Sequence, residues 1–212
     1  MIEILLKTFQ HILLVVSSIL IASCVALPLG FFLTRTKIQK LSKLILWIAA
    51  LIQTIPGIAM LALIVTLLAS LYPYLGVPTT GIIPAVLALS FYALFPILSN
   101  TYTGIKQVSS TVIEVAQGMG LNSRQMLFLV ELPLAVPFIF SGVRISSVWT
   151  IGMATLTSLI GSGGLGDLIM QGLRSLQPSL VLAGTIPAAI LAIGFEHTLT
   201  RLEKWLTRAS HD

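Results

Sequence analysis

The sequence predicts an all-α fold, a polytopic membrane bundle of about five transmembrane helices. Three observations predict it. The chain is 56% hydrophobic and only 9% charged over 212 residues, whereas a soluble domain carries about 25% charged residues; its mean hydropathy is +1.01. Apolar runs near the ~20 residues that a spanning helix needs fall at about 12–33, 44–71, 82–98, 134–160 and 179–199. The cations gather at the ends of these runs, as membrane anchors do, rather than in a basic patch on a soluble surface. With one cysteine there is no intramolecular disulfide and no Cys-rich metal site.

The first run contains Ile21-Ala22-Ser23-Cys24, which has the form of a lipoprotein cleavage box. The stretch before it holds Lys7 as its only cation, beside Glu3, and the apolar run continues to Leu33, so Cys24 reads as a small helix-packing residue. The second run is too long to cross upright, and Pro56-Gly57 marks a bend within it. The third carries the uncharged polar residue Tyr92, and Asn100 and Thr103 follow just beyond its end. Together with Gln53 and Thr54 of the second run, these are candidates for lining a translocation path. Such groups wet a route through the membrane without a full charge, and they equally serve as hydrogen bonds between helices. The fourth run is also long, with Pro137 as a second bend.

Orientation follows from the basic residues of short loops. The loop after the first run holds Arg35, Lys37, Lys40 and Lys43, and the next, Tyr72 to Thr80, holds no charge. Lys106, Arg124 and Arg144 mark the third loop and its edge, and Arg201, Lys204 and Arg208 the tail. Placing these on the cytoplasmic side accounts for ten of the twelve cations, leaving Lys7 and Arg174 outside. The expected topology has the N-terminus outside and the C-terminus in the cytoplasm.

The longest polar interruption, Glu114 to Pro137, and the loop it belongs to, about 108–133, therefore face the cytoplasm. Thr111 and Glu114 have the T-x-x-E spacing of a capping box, Gly118 and Gly120 suit a helix stop, and Asn122 with Gln125 repeats the start signal. A second short helix is expected from Ser123 to about Leu132, with Pro133 turning the chain. Met126, Leu127, Leu129 and Val130 form its apolar side.

Enzymatic motifs are missing. Gly161 to Gly166 fits G-x-G-x-x-G literally, but it lies between membrane spans and no acid follows at the distance a dinucleotide site requires, so it reads as a flexible, tightly turning loop. There is no P-loop, nucleophile elbow or metalloprotease helix, and His11, His197 and His211 share no ligand spacing. No catalytic residue, metal or cofactor is expected. Arg144, Asp167 and Glu196, ionisable and close to membrane depth, are read as interfacial. There is no internal repeat and no soluble segment to house an ATPase or a receptor.

The spacing of Glu114, Ala116, Gly120, Leu132 and Pro133 resembles the signature of ABC-importer permeases, E-A-A-x-x-x-G, then nine residues, then I-x-L-P, with Val115 and Val130 as apolar substitutes. The resemblance extends along the chain to the permease subunit of bacterial osmoprotectant importers, through QTIPGIAMLAL from Gln53, the NTYTGI block from Asn100 and the IGSGGLGDLI block from Ile160. Ser99 stands where relatives often have Arg, and Gly57 where they usually have Ser. The resemblance implies a type I ABC-importer permease fold, with residues 1–212 forming a single transmembrane permease domain. It implies an ATPase-coupling role for Glu114, Ala116, Gly120, Leu132 and Pro133. The implied partners are a cytoplasmic ABC ATPase dimer, a second permease (identical or a paralogue), an extracytoplasmic solute-binding protein and the lipid bilayer, with no nucleic acid. The implied solute is glycine betaine, carnitine, choline or a related quaternary amine. Methionine or another amine-type solute, and a small self-energised transporter or channel, remain alternatives.

Overall fold

The computed structural model describes residues 2–35 and 38–208, the side chain of Arg208 excepted. Lys37 and His211 lie outside the described residues. The helices are α1 (Ile2–Arg35), α2 (Gln39–Thr54), α3 (Gly57–Leu75), α4 (Ile82–Lys106), α5 (Ser110–Gly118), α6 (Ser123–Met126), α7 (Leu132–Ala154), α8 (Leu165–Arg174) and α9 (Pro178–Arg208). A π-helical turn, Leu127–Glu131, joins α6 to α7, and a 3-10 turn, Leu156–Ile160, follows α7. There is no strand among the described residues.

Helices α1, α4 and α7 form the centre. Leu14, Val15 and Ile19 of α1 pack with Ala85, Val86 and Leu89 of α4 and with Ile151 and Ala154 of α7. In lipid there is no hydrophobic force between helices, so close van der Waals fit and interhelical hydrogen bonds hold them. Both are present. A Cβ on Gly142 would stand 2.7 Å from the Pro96 carbonyl oxygen, and one on Gly30 2.8 Å from Thr101. Ser146 donates to the Ala93 carbonyl at 2.8 Å, and His11 Nε2 meets the Ile151 carbonyl at 3.1 Å. The outward surface, with Phe9, Leu20, Phe32, Leu63, Leu67, Ile186 and Ile190 exposed, has the apolar character that lipid requires.

Five helical stretches are long and apolar enough to cross a membrane: Ile2–Arg35, Gly57–Leu75, Ile82–Lys106, Ser123–Ala154 and Pro178–Thr207. This agrees with the expected number but corrects the boundaries. The run 44–71 is not one helix. It breaks at Ile55-Pro56, and the two halves lie along α4 in succession: Ala49 of α2 with Ala93, Ile97 and Leu98, then Met60 and Ile64 of α3 with Ala88 and Tyr92. The run 134–160 stops as a helix at Ala154 and begins earlier than expected.

Pro133 does not turn the chain. Proline removes an N–H and its ring crowds the preceding turn. Here the π turn just before it, in which Leu132 N–H bonds to the Leu127 carbonyl, widens the helix where the ring must fit. The helix therefore runs on from Ser123 to Ala154, and Pro137 is also carried inside it.

The Thr111/Glu114 capping box does not form. The N-cap of α5 is Ser109, two residues before Thr111, with no side-chain cap, and Glu114 is exposed. The Asn122/Gln125 box forms in full, Asn122 accepting from Gln125 N–H at 2.9 Å and Gln125 from Asn122 N–H at 2.9 Å. Gly118 is the last residue of α5, and the stop is Gly120, at φ +83°.

Candidate functional site

Two places in the bundle have the character of sites. The first is a cleft of about 390 Å³ between α2, α4 and α7, lined by Gln53, Thr54, Phe95, Ser99, Asn100 and Trp149 among others. The break after α2 builds part of it, because ending the helix at Thr54 places Gln53 and Thr54 at its rim. Gln53, Thr54 and Asn100, expected from the sequence to line a path, are thus brought together. Tyr92 and Thr103 are not. Tyr92 is buried behind the cleft, and its hydroxyl donates to the Ile55 carbonyl, which the broken helix leaves without its usual partner. Thr103 lies further along α4, half-buried, away from the lining.

A second cleft, of about 460 Å³, is lined by Ser141, Arg144, Ile145, Val148, Trp149 and Glu196. Arg144 is not a lone interfacial cation: it pairs with Glu203 at 3.2 Å and donates to Thr200 at 3.0 Å. Ile145 and Trp149 line both clefts. Sequence reasoning passed over Trp149. The available signal was its place on the helical face of Ser141, Ile145 and Val148, spaced by four, seven and eight residues.

The second place is the segment from Ser110 to Pro133. Helix α5 carries Val112, Glu114 and Val115 in the open, with Met119 exposed just past its end and Ala116 buried. The Gly120 stop bonds Leu121 N–H back to the Ala116 carbonyl at 3.2 Å and turns the chain into α6. Between α5 and Val130 lies an apolar groove of about 320 Å³ with Thr111, Val112, Val115, Ala116 and Met119. Leu132 and Pro133, by contrast, are half-buried at the root of α7, where Leu132 packs on Ile105, Ala135 and Ile139. Missed in the sequence was Glu131, whose side chain is 3% exposed and pairs with Arg35 of α1. A single carboxylate within Phe-Leu-Val-Glu-Leu-Pro was the available clue.

At the opposite end of the bundle the glycine-rich loop is pinned rather than loose. Gly161, Gly163 and Gly164 have positive φ, Gly164 N–H donates to Gln10 at 3.2 Å, and Gly81 N–H donates to the Ile160 carbonyl at 2.7 Å. Asp167 pairs with Lys7, which gives one of the two unplaced cations a local partner.

The fold is that of a type I ABC-importer permease: it matches the MetNI methionine ABC transporter in its inward-facing conformations with a TM-score of 0.84, 19% identity and 96% coverage of both chains. The chain belongs to the family described as binding-protein-dependent transport system inner membrane component, whose pattern matches residues 26–210. It is 44% identical to the choline transport system permease protein OpuBB of Bacillus subtilis, over 98% of this chain and 90% of that one. It is 41% identical to the carnitine transport permease protein OpuCB of Listeria monocytogenes, over 97% and 88%. To the glycine betaine/carnitine/choline permease protein OpuCB of Bacillus subtilis it is likewise 41% identical, over 97% and 89%.

Proposed function

We propose that this chain forms half of the translocation path of an ATP-driven importer for a small quaternary amine: choline, carnitine, glycine betaine or a close analogue. The observation that carries the reading is identity of 41–44% along nearly the whole chain to permeases named for those solutes. The other half would be a second permease, the energy would come from a cytoplasmic ATPase pair, and the solute from an extracytoplasmic binding protein. Helices α5 and α6, with Glu114, Ala116 and Gly120, are assigned to ATPase docking, and Leu132 and Pro133 to the root that fixes them to the bundle. From Ser123 to Trp149 the chain is one continuous helical rod, about 40 Å at 1.5 Å per residue. Closure of the ATPase pair on ATP pulls this rod and opens the cleft outward, and hydrolysis resets it. Residues 1–212 act as one domain, with the N-terminus outside and the tail in the cytoplasm, an orientation supported by the clustering of cations around Arg35, Lys106 and Arg124.

The test is uptake by the permease reconstituted in proteoliposomes with its ATPase and binding protein. ATP-dependent accumulation of labelled choline, carnitine or glycine betaine is expected; accumulation of methionine alone, or uptake that ignores ATP, sinks the assignment. Orientation is tested separately, with cysteines at Thr80 and Gln39 in a Cys24→Ser background. Thr80 should label from outside intact cells and Gln39 should not; the reverse pattern overturns the cytoplasmic placement of α5.

A further inference from the structure

Trp149 is 62% exposed, and its indole makes no hydrogen bond or ring contact among the described residues. Two other tryptophans, Trp47 and Trp205, are also exposed. They lie within four residues of Lys43, and of Lys204 and Arg201, as interfacial tryptophans do. Trp149 has a different setting. Ser146, one turn before it, is bonded to the Ala93 carbonyl at the middle of α4, which places Trp149 near mid-depth. Its neighbours in the cleft include Gln53, Thr54, Ser99 and Asn100, which a lipid-facing surface would not gather. Among the described residues the cleft contains no charged side chain, and the adjoining one, across the wall of Ile145 and Trp149, holds Arg144 and Glu196.

A quaternary ammonium cannot donate a hydrogen bond, so neutral amides and hydroxyls hold it poorly. An indole face attracts it through the ring quadrupole. A carboxylate in its place would hold the cation more strongly and slow its departure. The indole face, with Phe95 the other aromatic of the lining and no charged side chain among the described residues of this cleft, gives the weak, selective contact that transit requires. We propose that Trp149 is the cation-recognising station of the path, its face holding the trimethylammonium group. Ser99, Asn100, Gln53 and Thr54 meet the hydroxyl or carboxylate end of the solute. The inference rests on the quaternary-amine reading above and extends it to named contacts.

The experiment uses the full complex in proteoliposomes, with saturating binding protein and labelled choline, and compares Trp149→Phe and Trp149→Leu with the parent. Phe keeps a ring, and Leu keeps apolar bulk without one. Uptake by the Leu variant should fall roughly five- to thirtyfold, while Phe stays within about threefold of the parent. Receptor-stimulated ATP hydrolysis should stay within about twofold in both, so choline moved per ATP drops. A merely structural Trp149 would lower uptake and hydrolysis together. In a Trp47→Phe, Trp205→Phe background, choline added without the binding protein should change Trp149 fluorescence. The isostere with carbon in place of the quaternary nitrogen should not. Full uptake by Trp149→Leu, parallel loss of ATP hydrolysis, or an equal response to the isostere overturns the station. If the parent complex carries no quaternary amine at all, the functional assignment itself fails and the station falls with it.

Discussion

The two ends of the bundle are built from the same parts and use them in opposite ways. Each has at least one glycine at positive φ, a short helix beside a long one, and an ion pair anchored on α1. At the glycine-loop end the loop and the start of α8 are pressed inward: Ser162, Leu165 and Leu168 are buried, and a Cβ on Gly166 would lie 2.1 Å from the Thr155 carbonyl oxygen. At the α5 end the short helix stands away from the bundle, and a Cβ on Gly120 would meet nothing within 4 Å. Glycine thus serves close packing as well as backbone conformation at one end, and backbone conformation alone at the other. The first end is closed against its own chain; the second presents an apolar, unfilled surface.

Breaking the packed end should have the largest effect. Gly166→Val forces a branched side chain into the Thr155 backbone, which has no flexible end to yield, at a cost of about 3 kcal/mol or more. Little folded protein should survive detergent extraction, as read by size-exclusion profile and melting temperature. Normal yield would mean that the glycine loop is less closely packed than described.

The ion pair at the α5 end predicts an asymmetry. Arg35 is half exposed while the Glu131 side chain is buried. Arg35→Ala leaves a carboxylate buried without its cation and should cost about 3 kcal/mol. Glu131→Gln leaves a guanidinium that water can reach and should cost about 1 kcal/mol. Thermal unfolding of the two variants decides it, and equal losses would mean that the pair is effectively solvated.

Gly120→Val comes next, at about 1–2 kcal/mol of backbone strain and no clash. It should fold and insert normally yet lower uptake per ATP and ATPase co-purification. Unchanged transport would reduce the α5–α6 segment to a connector. The smallest effects separate capping from docking. Asn122→Ala removes a formed cap and should weaken α6 by about 1 kcal/mol, seen as faster amide exchange around Arg124 and Gln125. Glu114→Ala removes none and should leave exchange in α5 unchanged, so any loss of transport in that variant reports docking rather than helix stability.

How much of this was legible in the chain depended on the range of the interaction. The Asn122/Gln125 box and the Gly120 stop are contacts across three to five residues, and the sequence displays them. The Thr111/Glu114 spacing was equally good locally, but the helix began on Ser109 instead. A start signal specifies what an N-terminus can use, while the tertiary placement of α5 chooses the residue. Pro56 was read as a bend and proved a full break, because a second group, the Tyr92 hydroxyl from α4, is there to take the orphaned Ile55 carbonyl. Pro133 was read as a turn and proved neither bend nor break, because the π turn ahead of it absorbed the ring.

The sequence alone determined the all-α membrane class, the number of spanning stretches, the clustering of cations and the exposed helix pair with its stop. These follow from composition and from periodicities that no partner helix can alter, since the bilayer is the common solvent for every span. Only the tertiary structure decided which polar groups meet. It drew Gln53, Thr54 and Asn100 into one cleft with Trp149, set Tyr92 behind it to bond the broken helix, and joined Arg35 to Glu131 and Lys7 to Asp167. Those pairings depend on the rotation and offset of helices far apart in the chain. These are fixed by close contacts such as Gly142 on Pro96, which one-dimensional spacing does not encode.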